Sequence, residues 1–286
     1  MPHAALDAVS DRDGVATQTL RSTMTPMKKL LLTTATLSVA VSLAASLAGC
    51  GGNGDSSIPA ATTTTASGTV PVGLWSGTAT TSGASGAASG AAAAGTFQVD
   101  TLVLSDGHYV SFYGQTAGTL GMVSGKLTTT PPNFIDKSGV DLNLSLAAPV
   151  PSTTSGTFNA TTLSGTEVAD GQTLSFSLPV NADYAVTGSL TYLTGTWTST
   201  TSQTGSFAFT ANGSFTGTLA SCSYSGSLAP TGTNNIYTGT ITYLSTGCAA
   251  AAGTPVPIRG FITRNTLFFG GLDATNSFGV AFSGQK

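Results

Sequence analysis

From residue 70 onward the chain repeats its apolar residues at every second position, in short runs punctuated by Gly, Asn or Asp. Val140, Leu142, Leu144 and Leu146 alternate with Asp141, Asn143 and Ser145, and Leu174, Phe176 and Leu178 alternate with Ser175 and Ser177. Phe207 and Phe209, then Phe215 and Leu219, flank Asn212-Gly213. Period two between turn residues is the pattern of half-buried strands, whereas an amphipathic helix would repeat at 3.6. No window after Cys50 shows the helical spacing. Asp106-Gly107, Asp170-Gly171 and Asn212-Gly213 each predict a two-residue hairpin turn with positive φ. The expectation is an all-β fold. Charged residues are only 7% of the chain, against about 25% in ordinary soluble domains, but mean hydropathy is positive at +0.23. Disorder goes with low hydropathy and high net charge, so the better reading is sheet whose exposed faces carry Thr and Ser hydroxyls in place of charges.

The sheet-forming body reads as a duplication. Its two tryptophans, Trp75 and Trp197, both sit in Gly-x-Trp and are expected to anchor the core of each copy. Downstream, Val103-Leu104-Ser105-Asp106-Gly107-His108-Tyr109 parallels Phe209-Thr210-Ala211-Asn212-Gly213-Ser214-Phe215, and Val123-Ser124-Gly125-Lys126-Leu127 parallels Tyr224-Ser225-Gly226-Ser227-Leu228. The offset between the copies shrinks after the tryptophans, which places an inserted loop around Ser82 to Gly95 in the first copy. Two similar antiparallel β-meander repeats are therefore expected, over 71–186 and 187–286. Each would hold seven or eight strands and curl into a small barrel or sandwich to protect its edges.

The N-terminal part has a different logic. Met27-Lys28-Lys29 is a positive start, Leu30 to Leu47 follows without a charge, and the stretch ends in Leu47-Ala48-Gly49-Cys50. This order of parts describes an export signal, and its ending resembles the lipobox of bacterial lipoproteins. That resemblance implies cleavage before Cys50, with a diacylglyceryl thioether on its sulfur and an acyl chain on its amine. The several chains together make membrane anchoring stable where one would be marginal. Residues 27–49 would then be the signal peptide and 50–70 the lipidated cysteine with a flexible tether of about 25 Å. Residues 1–26 carry acids unsuited to an export signal and read as a spurious extension, translation starting at Met27 or Met24. In the lipoprotein family an Asp after the cysteine favours the inner membrane. Gly51 stands there, which implies the outer membrane of the cell envelope.

Two cysteines remain after Cys50. In an oxidising compartment Cys222 and Cys248 are expected to form a disulfide; no C-x-x-C and no partnering histidine favours a redox or metal role. His108, the one histidine after the cut, follows a turn aspartate and lacks a candidate nucleophile, so no catalytic residue is assigned. Zinc has too few ligands, and the Gly-rich stretches precede no helix that could cradle phosphate; no metal or cofactor is expected. Nine acids and five bases after Cys50 are scattered, which argues against a nucleic-acid partner. The acids are expected in turns and loops. The aromatics Tyr109, Tyr113, Phe207, Phe209, Phe261, Phe268 and Phe269 are expected in the core.

Gly-x-Trp near the first strand of each copy also resembles the opening of lipocalin-type barrels. That resemblance implies carriage of a small apolar ligand, with Arg259 or Arg264 covering a tryptophan. More broadly, residues 70–286 resemble the Gly/Thr-rich β-repeat lipoproteins of Gram-negative bacteria. The leading functional expectation is a non-enzymatic envelope lipoprotein, held at the membrane by its lipid, with a binding or structural role toward a small molecule or a surface partner. The lipocalin-like carrier is the alternative, and a membrane-spanning barrel or an enzyme stands behind both.

Overall fold

The alternating runs close into two β-barrels. The computed structural model describes residues 69–82, 95–115, 118–146, 148–248 and 250–286. Cys50, the signal segment and most of the tether lie outside the described residues. The first barrel is a meander of β1 (Gly73–Ser82), β2 (Thr96–Val103), β3 (His108–Gln115), β4 (Gly118–Lys126), the short β5 (Thr128–Thr130), β6 (Asn133–Asn143), β7 (Val150–Phe158), β8 (Thr162–Ala169) and β9 (Gln172–Pro179). β1 pairs with β9, and β6 pairs with β5 at its start and with β4 at its end, which closes the circle. The second barrel runs through β10 (Gly195–Ser199), β11 (Gly205–Phe209), β12 (Ser214–Leu219), β13 (Cys222–Pro230), β14 (Tyr237–Tyr243), β15 (Pro255–Thr263), β16 (Thr266–Leu272) and β17 (Gly279–Gln285), and closes by β10 on β17. Closure protects the strand edges that an open meander would expose. Between the barrels lie a 3-10 turn, Ala182–Ala185, capped by the Asn181 side chain, and a single helical turn, Leu190–Leu193, capped by Ser189.

The two barrels repeat each other in detail. Trp75 Nε1 donates to the carbonyl of Pro71 and Trp197 Nε1 to that of Leu193, each four residues earlier. After β2, Leu104 N donates to His108 O, Gly107 N to Leu104 O and Leu127 N to Gly107 O; after β11, the same three bonds join Thr210 to Ser214, Gly213 to Thr210 and Leu228 to Gly213. Trp75 pairs with Thr101 on β2, and Trp197 pairs with Phe207 on β11. The extra length in the first barrel falls between β1 and β2, where the sequence places the inserted loop; residues 83–94 lie outside the described set.

Turn chemistry departs from expectation at two of three sites. Only Asp170-Gly171 has both central residues at positive φ. At Asp106-Gly107 and Asn212-Gly213 the glycine alone does, because each closes a four-residue loop in which the Asp or Asn side chain caps the next strand's first N–H. The other turns with two positive-φ residues, Ala220-Ser221 and Arg264-Asn265, contain no glycine. Replacing Ala220→Asn and Ser221→Gly supplies the residues this turn favours, and is expected to raise stability by about 1 kcal/mol. Urea denaturation of the double variant would show the gain; a loss would mean that contacts beyond the hairpin set this backbone.

The barrels face each other through apolar residues on their outer surfaces. Leu74, Leu102, Val110, Phe112, Met122 and Leu142 from the first pack against Phe261, Phe268, Leu272 and Ala281 from the second. Polar contacts ring this seam: Arg264 reaches Asp100 at 2.6 Å, Asn181 Nδ2 donates to Thr263 Oγ1, and Thr119 and Ser283 share a hydroxyl bond. Phe261 and Phe268 therefore belong to the seam and not to a barrel interior. The free outer face of β7 to β9 presents hydroxyls instead, with Ser164 bonded to Ser177 across the strands. Among the described residues no helix is long and apolar enough to cross a membrane.

Candidate functional site

The interiors of the two barrels differ in kind. The second is filled by aromatic and aliphatic side chains around Trp197. Phe207 touches Phe282, Phe269 and Phe215 with ring centroids 4.8, 5.2 and 5.5 Å apart, and Tyr237, Ile241, Val256 and Ile258 complete the packing. The cation over Trp197 is Lys286, whose Nζ lies 4.8 Å from the ring centroid and donates to the carbonyls of Tyr192 and Thr194. This corrects the assignment of an arginine there: Arg264 is engaged with Asp100 at the seam, and Arg259 makes no such contact.

In the first barrel, the strand registers put smaller or hydroxylated residues where the second has phenylalanine. Thr101 stands where the second barrel has Phe207, Val103 where it has Phe209, and Tyr109 where it has Phe215; in both, the first of these pairs across to the next strand at Ser111 or Gly217. The smaller side chains leave a cavity of about 30 Å³, room for roughly two waters. Val103, Leu127, Leu163 and Leu178 form its apolar end, and Trp75 packs in the same cluster.

The polar lining of the cavity is Thr101 on β2, Tyr109, Ser111 and Tyr113 on β3, Thr154 on β7 and Glu167 on β8, with two aspartates of β6 bonded to the tyrosines. Tyr109 and Tyr113 point inward from β3, and each donates its hydroxyl proton to an aspartate on β6: Tyr109 to Asp136 Oδ2 at 3.1 Å, and Tyr113 to Asp141 Oδ1 at 2.7 Å. Thr154 Oγ1 lies 3.1 Å from the Tyr109 hydroxyl, and Thr101 and Ser111 share a hydroxyl bond of 2.7 Å. Room for the two phenol rings comes from β4, where Gly125 pairs with Tyr109 and Gly121 with Tyr113; a Cβ at either glycine would meet the facing tyrosine. The odd spacing of Asp136 and Asp141 would put them on opposite faces of a regular strand. The register shift between Asp136 and Gly139 turns both inward.

Glu167 on β8 is the exceptional group. It is 9% exposed, lines the cavity, and has no hydrogen-bond partner among the described residues. Loss of water pushes its carboxyl up to about 8, and the nearby Asp141 carboxylate adds to the rise. Burial likewise lifts Asp141 to about 6 against the opposing bond from Tyr113. Burial also raises both tyrosines, so they remain proton donors to their aspartates. No Lys, Arg or His lines the cavity among the described residues. The buried hydroxyl of Ser152, on β7, also lacks a partner there.

No protein-family model matches the chain, and no match is found among curated proteins. Among solved structures, it is similar to the crystal structure of a DUF3598-family protein of unknown function from Nostoc punctiforme. The likeness covers 76% of this chain and 96% of that one at 7% identity, with a TM-score of 0.23. So slight a likeness carries no argument about fold or function.

The residues singled out from the sequence fall in three places. Trp75 and Trp197 are buried at the first strand of each barrel. Cys222 and Cys248 are joined in a disulfide that ties the start of β13 to the loop after β14. His108 lies on the outer surface, its Nδ1 2.8 Å from Asp106 in its own turn. The acids depart from expectation: Asp100, Asp136, Asp141 and Glu167 are buried within strands. The signal that could have found the cavity was the exchange of Tyr109 for Phe215 inside the aligned repeat segments, where one copy carries a hydroxyl that the other lacks.

Proposed function

We propose that this chain is a lipid-anchored envelope protein that binds rather than transforms, with a small ligand held inside the first barrel and the second barrel serving as its rigid brace. The observation that carries the binding reading is the contrast between two copies of one scaffold. One interior is packed with rings, and the other keeps a cavity, a row of hydroxyls and a partnerless buried carboxyl at Glu167. Buried polar groups are ordinarily bonded, so an unbonded one facing a cavity is a place for a ligand atom. Export is supported by the Cys222–Cys248 disulfide, which suits an oxidising compartment, and by the Leu47-Ala48-Gly49-Cys50 ending. The same ending, followed by Gly51, supports an outer-membrane address.

Two measurements test this. Mass spectrometry of the protein taken from its own cells should find a mature N-terminus at Cys50 carrying the diacylglyceryl and amide-linked chains; an unmodified thiol with residues 1–49 attached would refute the anchor. For the binding reading, solutes of about two or three heavy atoms are screened by thermal shift at high concentration against the wild type and Thr101→Leu, which fills the cavity. Hits lost in the variant support an internal site, and a set of hits unaffected by the variant removes it.

A further inference from the structure

We infer that the ligand of the first barrel is a small primary amine, bound as its ammonium ion against Glu167 and the Tyr113 oxygen. This deepens the internal-binding reading and rests on it. The inference starts from the count of donors and acceptors. The proton of Tyr113 is already given to Asp141 and that of Tyr109 to Asp136, so toward the cavity the Tyr113 oxygen offers lone pairs. Thr101 and Ser111 share one bond, which leaves a single hydroxyl proton of the pair free. Glu167 accepts only once it is ionised; protonated, it adds one O–H donor. With Glu167 ionised the cavity is walled chiefly by acceptors and is complementary to a group with several N–H donors, which an ammonium supplies and an alcohol or a carboxylate does not.

Charge points the same way. Glu167 faces Asp141 and both tyrosines from β3 and β6, Thr154 from β7 and the apolar Leu174 from β9. None of these is a cation, and a buried carboxylate without a counter-ion must take a proton or an external positive charge. A metal ion is a poorer match. The two aspartates are occupied by tyrosine hydroxyls, and no group of three or more His, Cys, Asp or Glu among the described residues could hold one. Val99, Val123 and Phe176 supply an apolar wall for a methyl group, and the size of the cavity limits the ligand to about two heavy atoms.

In the empty barrel the Glu167 carboxyl is protonated at neutral pH. Binding an ammonium therefore expels that proton to solvent and leaves an ammonium–carboxylate pair. Affinity should rise with pH by up to about tenfold per unit from 6 to 8 and level off above.

The test is calorimetric titration of the full-length lipidated protein in detergent with methylammonium, methanol and formate, which are close in size and differ in charge and donors. The expected result is one saturable methylammonium site at about 10 mM or tighter. It should tighten between pH 6 and 8 and release about one proton near pH 7, as read from heats in buffers of different ionisation enthalpy. The other two probes should bind at least tenfold more weakly, and Glu167→Gln should lose tenfold in amine affinity together with the pH dependence. The proton count and probe order are read on the wild type alone, so a variant that folds poorly does not block the test. Methanol or formate binding as tightly as the amine, and lost in Thr101→Leu, would overturn the amine while leaving an internal site. No amine binding, or amine binding indifferent to pH, would also overturn it, and amine binding undiminished in Thr101→Leu would place the site outside the barrel and remove both readings.

Discussion

Glu167→Gln is expected to make the protein more stable at pH 8.5 than the wild type, by a few kcal/mol, and to leave it nearly unchanged at pH 5. In the folded chain the Glu167 carboxyl holds its proton up to about 8, against an ordinary value of 4.5. Between those two values the folded state binds a proton that the unfolded chain has released. Raising the pH across that window therefore weakens folding, and above 8 the full penalty of a buried, unpaired carboxylate is present. The nominal linkage is on the order of 3–5 kcal/mol. Asp141, lifted to about 6, acts in the same direction over a lower window, so the variant should retain a shallow slope below pH 6 and be flat above it. Urea melts at pH 5, 7 and 8.5 would show this as wild-type and variant curves that diverge with rising pH. Curves that stay parallel would mean that Glu167 is hydrated in solution and is not the interior group described above.

Reduction of the Cys222–Cys248 bond should destabilise the second barrel by about 3.5 kcal/mol, through the loop-closure entropy of a cross-link across a sequence separation of 26. The bond pins the long connection between β14 and β15 to the hairpin of β12 and β13, beside the bonds that Leu244 and Ser245 make to Ser223. Paired denaturation of oxidised protein and of Cys222→Ala/Cys248→Ala should separate by that amount. A difference under about 1 kcal/mol would show that the connection is already held in the unfolded chain or by its own packing. The first barrel has no equivalent bond among the described residues, and its cavity replaces packing that the second barrel retains.

How much of this was legible beforehand depended on which way a strand's apolar face pointed. Leu174, Phe176 and Leu178 alternate with serines and do face the first barrel's interior, so pattern and structure agree on β9. On β6 the same pattern misleads. Val140, Leu142 and Leu144 form a clean apolar series, yet they face outward into the seam with the second barrel, and the intervening Asp141 faces inward. Periodicity reports which residues share a face; it does not say which face is the inside. On β8 the inversion is sharper, because Val168 is largely exposed while its neighbour Glu167 is buried. The register shift in β6 hid Asp136 as well, since it breaks the parity that any count of alternate positions assumes. The repeats, by contrast, were readable from Gly-x-Trp and the Asp-Gly and Asn-Gly segments, because those residues fix the same backbone bonds in both copies. The aromatic core of the second barrel was legible in part: Phe207, Phe209, Phe215, Phe269 and Phe282 fill its interior, whereas Phe261 and Phe268 face the seam.

The seam has a consequence for what each half can tolerate. Because oily surface on one half is covered by the other, neither is suited to exist alone, and a halved chain would be prone to clump. The same mutual cover lets the two halves divide their labour: one can lose internal filling and acquire awkward buried acids, since its neighbour holds the assembly upright. Doubling the scaffold thus creates slack, and the slack is where a new chemistry can settle.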